Sequence, residues 1–510
     1  MPGMFAALAD ALSRAPEHVA LVARDAQGEH VFTRGDLLAA SGRYANALAA
    51  LGVQAGERVV AQVEKHVEGL GLYLGCLRLG AVYVPLNTGY TAAELAHFLG
   101  DAEPAVMVCE AARRESLQAV ARDAGVRHLL ALHGDDGMAA RARTATAGFA
   151  EVEPPELAAI LYTSGTTGRS KGAMLTQANL LSNARTLVSL WGCSDDDVLV
   201  HALPIYHVHG LFVALHTALL SGAKVIFLPK FDAATVLDLL PTSTLMMGVP
   251  TFYTRLLEEP ALDRARCARM RLFIAGSAPL RPETFEEWEA RTGQRILERY
   301  GMTETGMITS NPLVGERRAG SVGLPLPGVE VRLRIDGEVH ATGGPGVLEV
   351  RGPNVFKGYW RMPEKTREEF TADGWFVTGD VAEIDAAGVV SLTGRAKDLI
   401  ISGGLNIYPK EIELAIDGLP GVEESAVIGV PHRDFGEAVV AIVKPLAGAA
   451  PDAQAMLATL RTQLAAFKVP KHMALVDELP RNAMGKVQKN LLRGQYEGLF
   501  KAPAHVKIRD

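Results

Sequence analysis

The segment Tyr162–Gly172 reads YTSGTTGRSKG, and its residue types point to anion binding. Glycines let a backbone bend close to a ligand, serine and threonine hydroxyls add donors, and Lys171 supplies a point charge, a combination suited to phosphate oxygens. The GxxxxGK[ST] spacing of a Walker loop is absent. A plain glycine-serine linker is the alternative, but the apolar run LAAILYTS (157–164) just ahead reads as a buried strand, which a linker does not need. Three further positions could do chemistry: Glu304 in ERYGMTET (298–305), Asp380 in GWFVTGD (374–380) and Lys486 in PRNAMGKVQK (480–489). Taken singly they read as a helix-start carboxylate, a surface ion-pair member and a solvated lysine.

Residues so far apart in sequence need a fold that gathers them. VALVA (19–23), RVVAQV (58–63), AVYVPLN (81–87) and PAVMVC (104–109) alternate with helical patterns, the signature of βαβ units and a parallel sheet. VLVHALPIY, AKVIFLP, TLMMGVP and RLFIAGS continue it, each ending in a polar or glycine-rich turn, where ligands collect in open α/β sheets. The alanine-rich stretch 134–155 reads as a surface connection. From about 330, shorter strands with DG turns suggest an antiparallel β subdomain, and beyond it PKEIELAIDGL, ESAVIGVP, EAVVAIVKP and DAQAMLATLRTQLAAF outline an α+β module. The expected fold class is α/β: a large N-terminal domain (1–397) of βαβ-type sheets packed with helices plus a β subdomain, and a small mobile α+β C-terminal domain (398–510).

The chain has 510 residues, 48% of them apolar, enough for a large enzyme core in two domains. Its formal charge of −7 gives no general attraction to nucleic acid or anionic membranes. Cys76, Cys109, Cys193 and Cys267 lack the spacing of a zinc site or disulfide framework and read as core residues in a reducing compartment. The N-terminal pattern suits an amphipathic helix rather than a leader, and the apolar stretch 211–228 is interrupted by His216 and Lys224. These features predict a cytoplasmic protein with no membrane span and no nucleic-acid partner, as a monomer or small homo-oligomer.

Five segments in order, YTSGTTGRSKG, ERYGMTET, GWFVTGD, GRAKDLIISGGLNIYPKEIE (394–413) and PRNAMGKVQK, resemble the core motifs of the adenylate-forming superfamily of acyl-CoA synthetases, luciferases and peptide-synthetase adenylation domains. The resemblance covers essentially the whole chain. It implies ATP, Mg²⁺ and coenzyme A as cofactor or substrate. It assigns Thr163, Ser164, Gly165, Thr166, Thr167, Gly168 and Lys171 to the β- and γ-phosphates. Ser277, Ala278 and Pro279, with Gly276, line the adenine and acyl pockets. Glu298, Arg299, Tyr300, Gly301 and Met302 fall in the nucleotide site, with Tyr300 stacked on adenine. Thr303 meets the α-phosphate, Glu304 with Thr166 holds magnesium, and Asp380 takes the ribose hydroxyls beside Arg395. Lys486 bridges carboxylate and α-phosphate, lowering the repulsion between two anions as they meet. Asp398 is the implied hinge about which the small domain turns between half-reactions. Gly403, Gly404 and Leu405 flank the pantetheine channel, and Lys468 and Lys471 meet the CoA phosphates or form a solvated helix end.

IYHVHGL places His207 against the acyl carboxylate by the same resemblance. Arg255, in GVPTFYTRLL, lies one helical turn past the pocket-lining 249–251, where a fixed guanidinium suits a second carboxylate. Arg317 and Arg318 are further candidates. Together these segments resemble the malonyl-CoA synthetases, which implies ligation of malonate, and of methylmalonate, to coenzyme A through an acyl-adenylate. A CoA ligase for another short-chain or aryl acid is the enzymatic alternative, and a catalytically silent ligand-sensing protein of this fold the non-enzymatic one.

Overall fold

In a computed structural model the described residues are 3–500 except 26–27, 150–151, 164–169, 403–404, 433–434, 465, 467 and 483–484. The chain forms two compact units, one of Met1–Val331, Val350–Phe376 and Gly388–Val390, the other of Arg332–Glu349, Val377–Ala387 and Ser391–Asp510. This partition is interleaved, whereas the sequence suggested a single cut at 397/398. The reason lies in pairing: Glu338–His340, Glu330–Ile335, Gly343–Arg351, Phe376–Ile384 and Val390–Arg395 form one five-stranded sheet.

The β-branched runs become strands as the alternation predicts. His128–Ala131, Val106–Cys109, Arg58–Gln62, Val82–Pro85 and Leu157–Thr163 lie parallel in that order, and Lys171–Thr176 closes the sheet antiparallel to 157–163. A second sheet runs Leu324–Pro325, Gly306–Ser310, Leu297–Met302, Leu272–Ala275, Leu245–Gly248, Val198–His201, Lys224–Phe227, Val19–Asp25, Gly28–Thr33. Its six strands from Leu297–Met302 to Val19–Asp25 are parallel, so the loops after 198–201, 245–248 and 272–275 emerge at one end. Such strands are buried on both faces and read as continuous apolar runs, hence their legibility.

One expectation needs adjustment. Met138–Thr144, inside the expected surface connection, is a helix that buries Met138, Ala139 and Ala142. Alanine's high helix propensity and small size allow this close packing. The apolar stretch at 211–228 divides into a π-helical turn His209–Leu215, a helix His216–Ser221 and the strand Lys224–Phe227. Among the described residues no helix is long and apolar enough to cross a membrane.

In the second unit Ile400–Ser402, Leu405–Ile407, Val422–His432, Gly436–Pro445 and His472–Leu475 share a sheet. The helices Pro409–Asp417 and Ala453–Gln463 add Ile412, Ile416, Leu457 and Leu460 to a core with Val427, Val439 and Val443. The expected helix–strand–strand–helix order is therefore found here.

Candidate active site

Thr163 pairs with Lys171 at the end of the antiparallel pair Leu157–Thr163 and Lys171–Thr176. Ser164, Gly165, Thr166, Thr167 and Gly168 lie outside the described residues. Beside this pairing, side chains converge from separate elements. Thr163 Oγ1 is 3.4 Å from Glu304 Oε1. The Tyr359 hydroxyl stands between two carboxylates, 3.1 Å from Glu304 Oε1 and 2.7 Å from Glu369 Oε2. Lys171 Nζ completes the row, 2.6 Å from Glu369 Oε1 and 4.1 Å above the Tyr359 ring.

Glu304 is only 5% exposed. Burial tends to raise the Glu369 pKa, but hydrogen bonds from Lys171 and Tyr359 outweigh it and hold the group ionised. Burial first, and the Glu304 and Glu369 charges after it, push the Tyr359 phenol well up, so it remains a donor. A buried carboxylate beside hydroxyl oxygens is the donor chemistry that Mg²⁺ prefers, and Glu304 fits the role of a magnesium ligand. Tyr359 and Glu369 were not singled out from sequence. Nothing in KGYW or TREEF marks them until the fold brings 350–376 to that strand pair.

A second constellation lies at the strand ends of the nine-stranded sheet. Arg299, in the strand Leu297–Met302, is 2% exposed, and its Nε and Nη2 have no hydrogen-bond partner among the described residues. The Glu298 carboxyl is no counter-ion, since successive strand residues face opposite ways. It accepts from Leu280 N at 3.2 Å instead, and burial pushes it up to about 8, largely protonated. Burial lowers the Arg299 pKa to about 10, which leaves the guanidinium charged at neutral pH.

Arg299 faces histidines. Burial, then the Arg299 charge, push His207 down to about 4 and His209 well below its ordinary value, so both rings are neutral. His209 Nδ1 is 3.2 Å from Ser277 Oγ, and His209 Nε2 has no partner among the described residues. Ser277 adopts φ +72°, a left-handed conformation that directs it and the exposed Ala278 and Pro279 out of the strand end.

The other arginines are placed differently. Arg255 is exposed on the helix Pro250–Leu257, whose inward face carries Tyr253, Leu256 and Leu257. Arg317 donates to the carbonyls of Pro312 (3.0 Å), Arg295 (2.6 Å) and Leu313 (2.8 Å), a structural use of all its nitrogens. Arg318 is exposed. The charge His207 feels is that of Arg299, which the motif ERYGMTET had grouped with the nucleotide residues.

The second unit holds its own cluster. Arg395 Nε is 2.6 Å from Asp380 Oδ1, and Arg493 Nη2 is 2.7 Å from Asp398 Oδ1. Lys486 N donates to Asn482 Oδ1 at 2.9 Å, and its carbonyl oxygen accepts from Asn482 N at 2.9 Å. Shielding from water and then Arg395 lower its pKa, while Asp380 and Asp398 oppose them. Asp398 thus lies within a charged group rather than standing as a plain exposed carboxylate. Lys468 Nζ is paired with Glu411 at 2.6 Å, and Lys471 is exposed, 5.3 Å from the Phe435 ring. Gly403 and Gly404 lie outside the described residues, and Leu405 opens the strand Leu405–Ile407.

Comparison with known proteins bears on these groups together. The profile of the AMP-binding enzymes matches residues 8–360, and that of the AMP-binding enzyme C-terminal domain matches 411–486. ATP-bound MatB from Rhodopseudomonas palustris is similar over 98% of this chain and 99% of its own, with TM-score 0.94 and 53% identity. The malonate–CoA ligase of Arabidopsis thaliana is 36% identical over 87% of this chain and 78% of its own length. A feruloyl-CoA synthase of Amycolatopsis sp is 37% identical over 92% and 95% respectively.

Proposed function

The chain belongs to the AMP-binding enzymes, and from that membership we propose that it ligates malonate to coenzyme A, with release of AMP and pyrophosphate. The observation that carries the choice of acid is Arg299, a buried, charged guanidinium without a carboxylate partner among the described residues. A cation so placed is stabilised when an anion arrives, and a guanidinium grips a carboxylate through two parallel hydrogen bonds. Feruloyl-type acids have no second carboxylate to offer. His207 and His209, held neutral, add hydrogen-bonding rings without a competing charge.

One malonate carboxylate rests on Arg299. The other attacks the α-phosphorus of ATP as the bond to pyrophosphate breaks, giving malonyl-adenylate. The CoA sulfur then attacks the acyl carbon, the bond to AMP breaks, and the thiol proton passes to water. Thr163, Lys171 and the 164–168 loop hold the triphosphate, Thr303 orients the α-phosphate, and Asp380 takes the ribose. Magnesium, when bound at Glu304 and Thr166, neutralises charge developing on the leaving pyrophosphate. Lys486 supplies its ammonium to the carboxylate–phosphate encounter. The small domain turns about Asp398 to let Gly403, Gly404 and Leu405 meet the pantetheine arm.

The test is pyrophosphate release with ATP, Mg²⁺ and CoA across malonate, methylmalonate, succinate, acetate, propionate, benzoate and ferulate, with the thioester identified by mass. Malonate preference is expected, and preference for a monocarboxylate would discard the assignment of the acid while keeping the ligase.

A further inference from the structure

We propose that Lys65 is a positioning residue for acid recognition: it grips His201 by both ring and carbonyl and so fastens the loop carrying His207 and His209. The inference rests on the reading that Arg299 and this loop receive the acid.

Lys65 follows the strand Arg58–Gln62 of the six-stranded sheet, and His201 ends the strand Val198–His201 of the nine-stranded one. Lys65 is 8% exposed and His201 1%. Lys65 Nζ lies 2.7 Å from His201 Nδ1 and 2.7 Å from the His201 carbonyl oxygen. On its far side His201 Nε2 is 2.9 Å from the Gly210 carbonyl. A carbonyl only accepts, so the network assigns the proton to Nε2 and leaves Nδ1 as the acceptor for Lys65.

Among the described residues Lys65 has no salt-bridge partner, and its Nζ lies 4.3 Å from the centroid of the Phe227 ring. Burial drives the Lys65 pKa well down with no opposing charge. Ring and carbonyl accept two of its N–H groups, so the lysine acts as a paired donor on one residue.

The consequence is mechanical. His201 and Gly210 are the two ends of the loop 202–209, and the His201 ring joins them. The loop folds tightly on itself, since a Cβ on Gly210 would lie 2.0 Å from the Pro204 carbonyl oxygen. Within it His209 N donates to His207 Nδ1 at 3.3 Å, and His209 reaches Ser277. Without Lys65 the His201 ring keeps a buried, unpaired Nδ1 and loses its orientation, which frees the Gly210 end.

Lys65→Met keeps the length of the side chain and removes both donors. We expect the KM for the acid to rise about tenfold, from loss of two buried hydrogen bonds, with the KM for ATP within about twofold of the unaltered enzyme. His201→Gln should give the same split, and the double variant should be no worse than the poorer single one. Lys65→Gln, which retains an N–H₂ group, should lie between and provides the measurement where the methionine variant does not fold. Equal rises in both KM values, an unchanged acid KM, or additive losses would each overturn the assignment. The acid used is whichever the unaltered enzyme turns over best. An unaltered enzyme that ignores malonate therefore defeats the malonate reading alone, whereas a flat acid KM in the variants defeats the role of Lys65 alone.

Discussion

Gly276 makes room for Arg299: a Cβ at residue 276 would stand 2.3 Å from Arg299 Nη1 and 2.5 Å from its Cζ. The guanidinium plane occupies the space a side chain would take, so the two residues pack as one unit. Gly276→Ala should displace the fork and raise the KM for malonate, while the KM for ATP changes little. Arg299→Gln should lower kcat/KM for malonate by about a hundredfold, the scale of a buried charge-assisted bidentate contact, and affect acetate far less. Steady-state kinetics on both acids checks the pair, and equal losses on malonate and acetate would remove Arg299 from the acid site.

The row Thr163, Glu304, Tyr359, Glu369, Lys171 gives a second prediction. Tyr359→Phe removes the hydroxyl between the carboxylates of Glu304 and Glu369 and leaves Glu304 less firmly oriented. The Mg²⁺ concentration for half-maximal rate should rise several-fold, of the order expected for one lost hydrogen bond to a charged group, with the malonate KM unchanged. Magnesium titration at saturating malonate measures it, and a rise in malonate KM alone would refute it.

Lys486→Ala should suppress adenylate formation by about a hundredfold or more, since it deletes the charge offered to two converging anions, and should spare thioester formation from supplied malonyl-adenylate. Single-turnover measurement of each half-reaction separates them. Equal loss in both would undo the alternation of the small domain.

Acid should destabilise the protein through its interior histidines. His207 is held down to about 4 and His216 to about 3 by burial, and His201 and His209 are lowered as well. The unfolded chain binds these protons from about pH 6.5 downward while the folded chain does not, so stability is full above pH 6.5 and declines as pH falls toward 4. Melting temperatures across that window should drop, and His207→Asn should soften the slope. An equal slope in the variant would show that His207 does not resist protonation.

How far the sequence exposes this arrangement depends on the element. Parallel strands were visible because burial on both faces demands apolar runs. Arg299 lies in a motif that was legible, yet its burial with unpartnered nitrogens among the described residues was not, because strand register decides which side of a sheet a residue faces, and register is set by partners far away. Arg255 shows the converse. Tyr253, Leu256 and Leu257 follow helical spacing and define the buried face of 250–257, which places Arg255 on the other side. Lys65 carried no signal, since a lysine after a strand is ordinarily solvated.

The interleaving of the two units has a consequence for modularity. Asp380 and Glu349 precede residue 398, yet both belong to the unit that also contains Lys486. Glu349, with no exposed surface, binds Arg332 and Arg334 inside that unit. A gene cut at codon 398 would therefore not release the carboxy-terminal part as a portable cassette. It would leave behind the Asp380–Arg395 pair, so exchange of this unit between relatives requires 332–349, 377–387 and 391–397 to travel with it.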